Sequence, residues 1–382
     1  MAFPPPAEPG MAFDDIDTPA LILDLDAFER NLATMAARIT DMGVRLRPHA
    51  KTHKSPTIAA RQIARGAVGM CCQKVGEAEV LVAGGVADVL VSNEVWGRRK
   101  LDRLAALARQ ARISVCADDP GNVDDLGAAA RRAGASVNVL VELDVGGGRC
   151  GVKTPEAAVE LAERIAATEG LTFGGIQAYH GSAQHKRSVQ EREEAIGAAA
   201  ELTRRTVALL EARGLTCGIV GGAGTGTFEI EGRSGVWNEL QCGSYIFMDA
   251  DYARNHGVDG RPVAQFAHSL FVLVTVMSRT DPTKAVVDAG HKALGNDAGF
   301  PTVWGLEGAT YGRPSDEHGM VDLSGTADGG ASVKAGSRLL LVPGHCDPTV
   351  NLYDWYIGVR GMHTPDARVE TVWPVAARGA LT

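Results

Sequence analysis

The chain has no apolar run long enough to span a bilayer, which argues against a helical membrane protein. Its start, Met1 to Gly10, is rich in proline and lacks the charged and apolar regions of a secretory signal, so a cytoplasmic location is expected. A basic surplus is missing too. The net charge is −8 and the isoelectric point is near 5.7, so neither nucleic acid nor a membrane surface is an expected partner. No CxxC pair is present, which argues against a four-cysteine zinc site. The seven cysteines are odd in number and scattered in apolar runs such as Gly69-Met70-Cys71-Cys72, the pattern of buried reduced thiols. Internal repeats and low-complexity segments are also lacking.

What is present is an ordinary globular composition, 45% hydrophobic and 22% charged over 382 residues, enough for a barrel plus an appendage. From about residue 44 to 250, short apolar runs alternate with longer amphipathic stretches. Strands are expected at Val44–Ala50, Val68–Cys72, Asp88–Asn93, Arg112–Asp118, Val137–Asp144, Phe173–Tyr179, Gly218–Ala223 and Glu239–Phe247. Helices such as Asp102–Ala111 and Pro155–Thr168 fill the gaps. Eight strands alternating with helices close as a (β/α)8 TIM barrel, an α/β fold. After about residue 260 helical periodicity fades, and Leu270–Met277, Lys284–Asp288, Ser337–Val342 and Asp354–Val359 read as strands between glycine, aspartate and proline turns. The expected division is a barrel over 26–255 and an antiparallel β domain over 256–382, together with residues 1–25. The early run Ala20–Leu25 is free to join that second domain.

Chemistry-bearing residues cluster at the strand ends, where barrels of this kind place their sites. Lys51, flanked by His49 and His53, stands at the mouth of the first strand. Partial desolvation and neighbouring cations there would lower its pKa and make it a nucleophile toward carbonyls. Gly146-Gly147-Gly148 after the fifth strand would bring Arg149 to the same mouth, where a guanidinium can hold a phenolate or carboxylate. Tyr179, His180 and His185 follow the sixth strand, and a histidine suits proton transfer near neutrality. Gly222, Gly224 and Thr225 form a glycine-threonine turn able to bring backbone N–H groups to a phosphate, with Ser244 and Tyr245 on the eighth strand as additional donors. In the β domain, His345 and Asp347 would project to one side of an extended segment and offer an imidazole and a carboxylate to a divalent metal. Asp316-Glu317-His318 is a lesser acid–imidazole cluster, either lining the pocket or forming a polar turn.

These motifs together resemble the alanine-racemase-like, fold-type III enzymes that use pyridoxal 5′-phosphate. Within that class, RPHAKTHK (47–54), CCQKVGEAE (71–79), GRCGV (148–152), QAYHGS (177–182), GGAGTGT (221–227), ELQCGSYIFMD (239–249), SDEHG (315–319) and PGHCDPTVN (343–351) are similar to the D-threonine aldolase and D-serine dehydratase group. The resemblance runs from about Asp17 to Gly379 and keeps the order of the motifs. It implies a pyridoxal-phosphate-binding barrel of alanine-racemase type over 26–255, in which Lys51 carries the cofactor and Arg149 contacts its phenolic oxygen. Gly222, Gly224, Thr225 and Tyr245 would lie near its phosphate, and Tyr179 near its ring. His345 and Asp347, the candidate metal site carried by the β domain, would hold a divalent ion, manganese first and magnesium, cobalt or zinc as alternatives. His-x-Asp is the pattern of the aldolase side of the group, whereas His-x-Cys goes with the dehydratases.

The activity this implies is metal-assisted retro-aldol cleavage of a D-β-hydroxy-α-amino acid, D-threonine giving glycine and acetaldehyde. His185 would take the β-hydroxyl proton, with His180 and Lys51 as rivals. The group also implies a head-to-tail homodimer with shared sites. Three alternatives stay open: an aldolase for 3-hydroxy-D-aspartate, whose extra carboxylate would call for a cation such as Arg187 or Arg313; a D-serine or 3-hydroxyaspartate dehydratase; and a cofactor-free Schiff-base aldolase in which the glycine turn binds a sugar phosphate. A non-catalytic, cofactor-carrying barrel is disfavoured by the second domain.

Overall fold

The computed structural model describes residues 4–382, so the first three residues of the proline-rich start lie outside it. A strand β1 (Ala20–Asp24) leads directly into helix α1 (Leu25–Met42). Asp24 caps that helix by accepting from the Asp26 and Ala27 amides, and Gly43 ends it in the left-handed region (φ 67°). Eight parallel strands follow: β2 (Arg45–Leu46), β3 (Met70–Cys72), β4 (Asp88–Glu94), β5 (Arg112–Ala117), β6 (Val137–Glu142), β7 (Leu171–Gln177), β8 (Ile219–Gly222) and β9 (Glu239–Leu240). They run in the order β2-β9-β8-β7-β6-β5-β4-β3. The seam between the two ends is closed by Val68 N–H to Leu46 O at 2.9 Å, Cys71 N–H to Pro48 O at 2.8 Å and Ala50 N–H to Cys71 O at 2.7 Å. All eight expected strands are found, with the helices packed outside them.

Boundaries shift for local reasons. The helix expected from Asp102 begins at Arg98, immediately after Gly97. The first and last barrel strands are regular over only two residues each, and the bonds Arg47 N–H to Leu240 O at 2.9 Å and His49 N–H to Cys242 O at 3.1 Å carry their pairing on to the mouth.

The second sheet contains β10 (Leu270–Asp281), β11 (Lys284–Val287), β12 (Thr302–Trp304), β13 (Thr310–Gly312), β14 (Gly319–Asp322), β15 (Arg338–Val342), β16 (Trp355–Arg360) and β17 (Arg368–Pro374). The early strand β1 joins it between β10 and β16. Its pairing with β16 is parallel, Ile22 opposite Ile357, so the sheet is mixed and not purely antiparallel as the sequence suggested. A parallel pair is reached because the whole barrel serves as the crossover.

Beneath the seam lies a buried ion-pair cluster. Arg47 places its guanidinium fork on Glu239, at 2.7 and 3.3 Å, and reaches Asp88 at 2.6 Å. Glu239 opens β9 and Asp88 opens β4, so this side chain braces strands on both sides of the join. The Glu239 carboxylate raises the guanidinium pKa further against the cost of burial. Glu239→Leu leaves Arg47 with Asp88 alone, and a loss of about 3–5 kcal/mol is expected. Urea unfolding measures it, and an unchanged midpoint would show that the brace contributes nothing.

Candidate functional site

Lys51 sits in a tight turn where His53 N–H and Lys54 N–H both donate to Ala50 O, at 3.1 and 2.7 Å. Three contacts fix that turn. Lys54 pairs with buried Glu77 at 2.5 Å, Tyr356 of β16 donates to His53 O at 2.7 Å, and Ala377 N–H donates to Lys54 O at 2.9 Å. Lys51 itself reaches out of the turn to Asp347, which is supplied by the second sheet's side of the molecule. Burial disfavours its charge, but the Asp347 carboxylate outweighs that and raises the lysine pKa. This corrects the expectation of a lowered value, since the nearest strong charge is an anion. The same pair, working against burial, holds Asp347 down at about 2.

The lysine opens into a cavity of 310 Å³ lined also by His49, Thr52, Arg149, Tyr179, Gly224, Thr225, Ser244 and Tyr252. His49 is kept neutral by burial and by Lys51 beside it. Its Nδ1 accepts from the Lys51 amide at 3.3 Å, so the proton sits on Nε2, 3.1 Å from the Ser92 hydroxyl. Asp144 accepts from the amides of Gly146 (3.1 Å) and Gly148 (3.0 Å), which shapes the glycine turn carrying Arg149. The Arg149 guanidinium lies 5.8 Å from the centre of the Tyr179 ring. Burial raises the Tyr179 phenol, with Lys51 and Arg149 pulling the other way.

On the far wall the chain turns through Ala223 with φ 66° into Gly224 and Thr225. A Cβ at Gly224 would meet Gln184 Oε1 at 2.6 Å, so a larger residue would have to push that side chain off its bond to Thr227. Beneath the turn, Gln184 donates to the Thr227 hydroxyl at 2.7 Å and that hydroxyl donates to Glu231 at 2.9 Å. Gly222 belongs to the strand end and not to the lining, where a Cβ would press on Ala178 O at 2.4 Å. The Tyr245 hydroxyl accepts from Gln62 at 3.0 Å and its ring packs on Phe266, so its side chain faces the core and not the cavity. That contradicts its reading as a phosphate donor through the hydroxyl. The strand there coils into a 3-10 turn, which rotates Ser244 toward the cavity and Tyr245 away.

A second cavity of 330 Å³ shares Arg149 and Tyr179 with the first and is lined by Glu142, Ser182 and His185. Burial, with Glu94 nearby, pushes Glu142 up to about 8, so near neutrality it is largely the acid. His185 pairs with Asp251 at 2.5 Å. His180 is tucked beneath Gly146, lines neither cavity, and is held neutral by burial.

His345 and Asp347 are not neighbours on an extended strand. His345 caps a one-turn helix (Cys346–Val350) whose first turn contains Asp347. The His345 Nδ1 meets Asp297 at 2.7 Å, the arrangement by which a carboxylate turns the other ring nitrogen toward a metal. Among the described residues no group of three or more His, Cys, Asp or Glu side chains forms a metal cage. An ion would rest on these two ligands with its remaining positions open. Asp316, Glu317 and His318 are exposed, and Glu317 pairs with Lys292 at 2.6 Å.

Among the buried oxygens without a hydrogen-bond partner are Thr52 Oγ1, Thr225 Oγ1 and Asp347 Oδ1, all at this mouth. Such groups are costly unless a ligand meets them. The Thr225 hydroxyl suits a phosphate, and the Asp347 oxygen, with the Thr52 hydroxyl beside that carboxylate, suits a cation. Gln177 and Gln241, paired amide to amide at 2.6 and 2.7 Å, form part of the cavity lining. Sequence reasoning missed both, as well as Tyr252 and Asp251. Gln177 ends its strand and Gln241 directly follows the last one; both stand inside recognised motifs, but nothing in the pattern distinguishes them from core residues.

Fold and site together define a member of the alanine racemase N-terminal domain family, whose model matches residues 23–251. Residues 269–359 match a serine dehydratase domain model. The chain is 49% identical to 3-hydroxy-D-aspartate aldolase of Paracoccus denitrificans, over 98% of this chain and 95% of that one. It is 47% identical to D-threonine aldolase of an Arthrobacter species, over 99% and 97%. The crystal structure of D-threonine aldolase from Filomicrobium marinum superposes with a TM-score of 0.95 at 52% identity, covering 99% of this chain and 100% of the other.

The support beneath the glycine-threonine turn has a pH signature. Glu231 is fully buried, and burial raises its pKa to about 8. A raised pKa means the folded state holds the proton longer. The associated stability is full below the unfolded value near 4.5 and is lost as pH rises through about 8. Glu231→Gln should therefore melt close to wild type at pH 4.5 and progressively higher than wild type toward pH 8. Parallel melting curves at all pH values would sink this account.

Proposed function

We propose that this chain is a pyridoxal-phosphate- and divalent-metal-dependent lyase that cleaves D-β-hydroxy-α-amino acids between Cα and Cβ. The observation that carries the reading is Asp347 set against Lys51, in a chain that matches two kinds of D-β-hydroxy-amino-acid aldolase over nearly its whole length. In this reading Lys51 bonds the cofactor, Arg149 meets its phenolic oxygen and Tyr179 flanks its ring. Thr225, Ser244 and the Gly224 turn take the phosphate. Gly222 gives the turn its close packing, and Tyr245 offers backbone only. When bound, the cofactor supplies an electron sink for the pair released from Cα. A divalent ion on His345 and Asp347, manganese in this reading, supplies Lewis acidity at the β-hydroxyl.

The chain's own residues then do the following. Asp297 holds the His345 ring, and Lys51, once its amine is free of the cofactor, faces the Asp347 carboxylate. His185 takes the β-hydroxyl proton on Nε2. The pair freed on oxygen closes the carbonyl as the Cα–Cβ bond breaks, the bond's own pair passes to Cα, a proton from solvent adds there to complete glycine, and His185 returns its proton to solvent. With D-threonine the aldehyde is acetaldehyde.

A β-carboxylate, as in 3-hydroxy-D-aspartate, needs a cation. Arg187 is already tied to Asp251 at 2.6 Å, and Arg313 is exposed away from the cavity lining. Arg149 alone stands between the two cavities, where the cofactor already engages it, which favours an uncharged β-substituent. The 49% identity to a 3-hydroxy-D-aspartate aldolase favours the second substrate and keeps it in the test. A dehydratase would expel the hydroxyl, and aspartate at position 347 speaks for the aldolase. The same reading makes the protein a cytoplasmic homodimer. No helix among the described residues is long and apolar enough to cross a membrane.

Product analysis with added pyridoxal phosphate and Mn²⁺ tests the substrate. Glycine and acetaldehyde are expected from D-threonine and none from L-threonine, with activity lost on chelation and restored by Mn²⁺. Ammonia with 2-oxobutyrate would mean a dehydratase, and glyoxylate from 3-hydroxy-D-aspartate alone would mean the second substrate. His185→Ala is expected to cost about 10²–10⁴-fold in rate, the usual span for a general base, with the cofactor's visible absorbance retained. Wild-type turnover in that variant would remove His185 from the reaction.

A further inference from the structure

Asp251 is a buried carboxylate, 5% exposed, that the reaction described above does not use. It stands immediately before the 3-10 turn Tyr252–Arg254, beyond the barrel's last strand. The Ala250 amide ties that turn to Pro343 O at 2.9 Å, and Asp249 Oδ1 accepts from the Tyr252 amide at 2.9 Å. One Asp251 oxygen meets His185 Nδ1 at 2.5 Å. The other accepts from Arg187 at 2.6 Å and from Arg254 at 2.5 Å. The Arg187 guanidinium also grips the Asp251 carbonyl (2.8 Å) and Asn255 Oδ1 (2.9 Å), while Asn255 Nδ2 donates to Gln184 O at 2.9 Å. The 3-10 turn that carries His185 is therefore held from behind, and the Tyr252 ring lies 5.6 Å from the imidazole.

We propose that Asp251 is the positioning residue that fixes the tautomer and aim of His185, so that Nε2 carries the lone pair toward the reacting hydroxyl. This rests on His185 being the base. A carboxylate whose other oxygen is occupied by two guanidiniums only accepts hydrogen bonds, so the imidazole proton is confined to Nδ1. Nε2 is left bare in the cavity that His185 lines. The two guanidiniums also keep the carboxylate from taking the proton when the imidazole becomes charged. In the step itself the β-hydroxyl O–H bond breaks and an N–H bond forms at Nε2, while the Nδ1 proton stays in place. The cluster thus works by orientation, as second partners of catalytic and metal-bound histidines do.

The test uses the holoenzyme. In ¹⁵N-histidine spectra, His185 in its neutral form should show its proton on Nδ1 and a bare Nε2. A proton on Nε2 overturns the proposal without any substitution. Asp251→Asn presents an amide N–H to the ring and should move the proton to Nε2. It should lower kcat by about 10²–10⁴-fold with KM and cofactor absorbance little changed. The double variant with His185→Ala should be no slower than His185→Ala alone. If His185→Ala is impaired and Asp251→Asn turns over normally, the positioning role fails while the base assignment stands. If His185→Ala itself is unimpaired, the base assignment fails first.

Discussion

Asp347 meets Lys51 because the strand that precedes the barrel is hydrogen-bonded into the other sheet. β1 lies between β10 and β16 and runs directly into α1, the first helix against the barrel. Asn31 of that helix reaches Ile246 O at 3.1 Å and Ala267 O at 2.7 Å, where the chain leaves the barrel for the second sheet. Tyr356 and Ala377 then close on the lysine turn from the same side. With the sheet fixed at the C-terminal mouth of the barrel, a one-turn helix following β15 is enough to deliver a carboxylate to the amine.

The mouth separates charges that are kept from charges that are suppressed. Lys51, Asp347 and Asp251 each have a partner of opposite sign, which outweighs the cost of burial. His49, His53 and Glu142 have none that suffices and are held neutral, His53 with its pKa down at about 3 and Glu142 with its pKa up at about 8. A ligand entering this space therefore meets few mobile charges. Preorganised dipoles of this kind need little rearrangement as charge develops.

Much of this was legible beforehand. The eight strands announced themselves through βα alternation, and the lysine, arginine and glycine-threonine motifs all fell at strand ends, which is where a parallel barrel exposes side chains. What failed was local direction. His345 and Asp347 were read with the period of a strand, yet Pro348 suits the first turn of a helix and the segment coils. Tyr245 was placed at the phosphate with Ser244 as part of the eighth strand, and a 3-10 turn sends the two side chains apart. The lysine pKa was inferred from neighbouring cations, whereas the deciding anion lies 296 residues further along. Asp251 carried no motif, since its role comes from three partners distant from it or on the next turn.

The position of β1 also bears on how the protein is made. Its five residues, Ala20–Asp24, are wholly buried in the finished sheet. Their partners lie near residues 270–273 and 357–359. At about 5–20 residues per second, a ribosome needs roughly 15–70 s after making β1 to deliver β16. Throughout that interval an apolar strand with two open edges waits beside a barrel that can already be folding. Protection of the nascent amino terminus, by a chaperone or by transient packing on the barrel, is the cost of building one sheet from both ends of the chain.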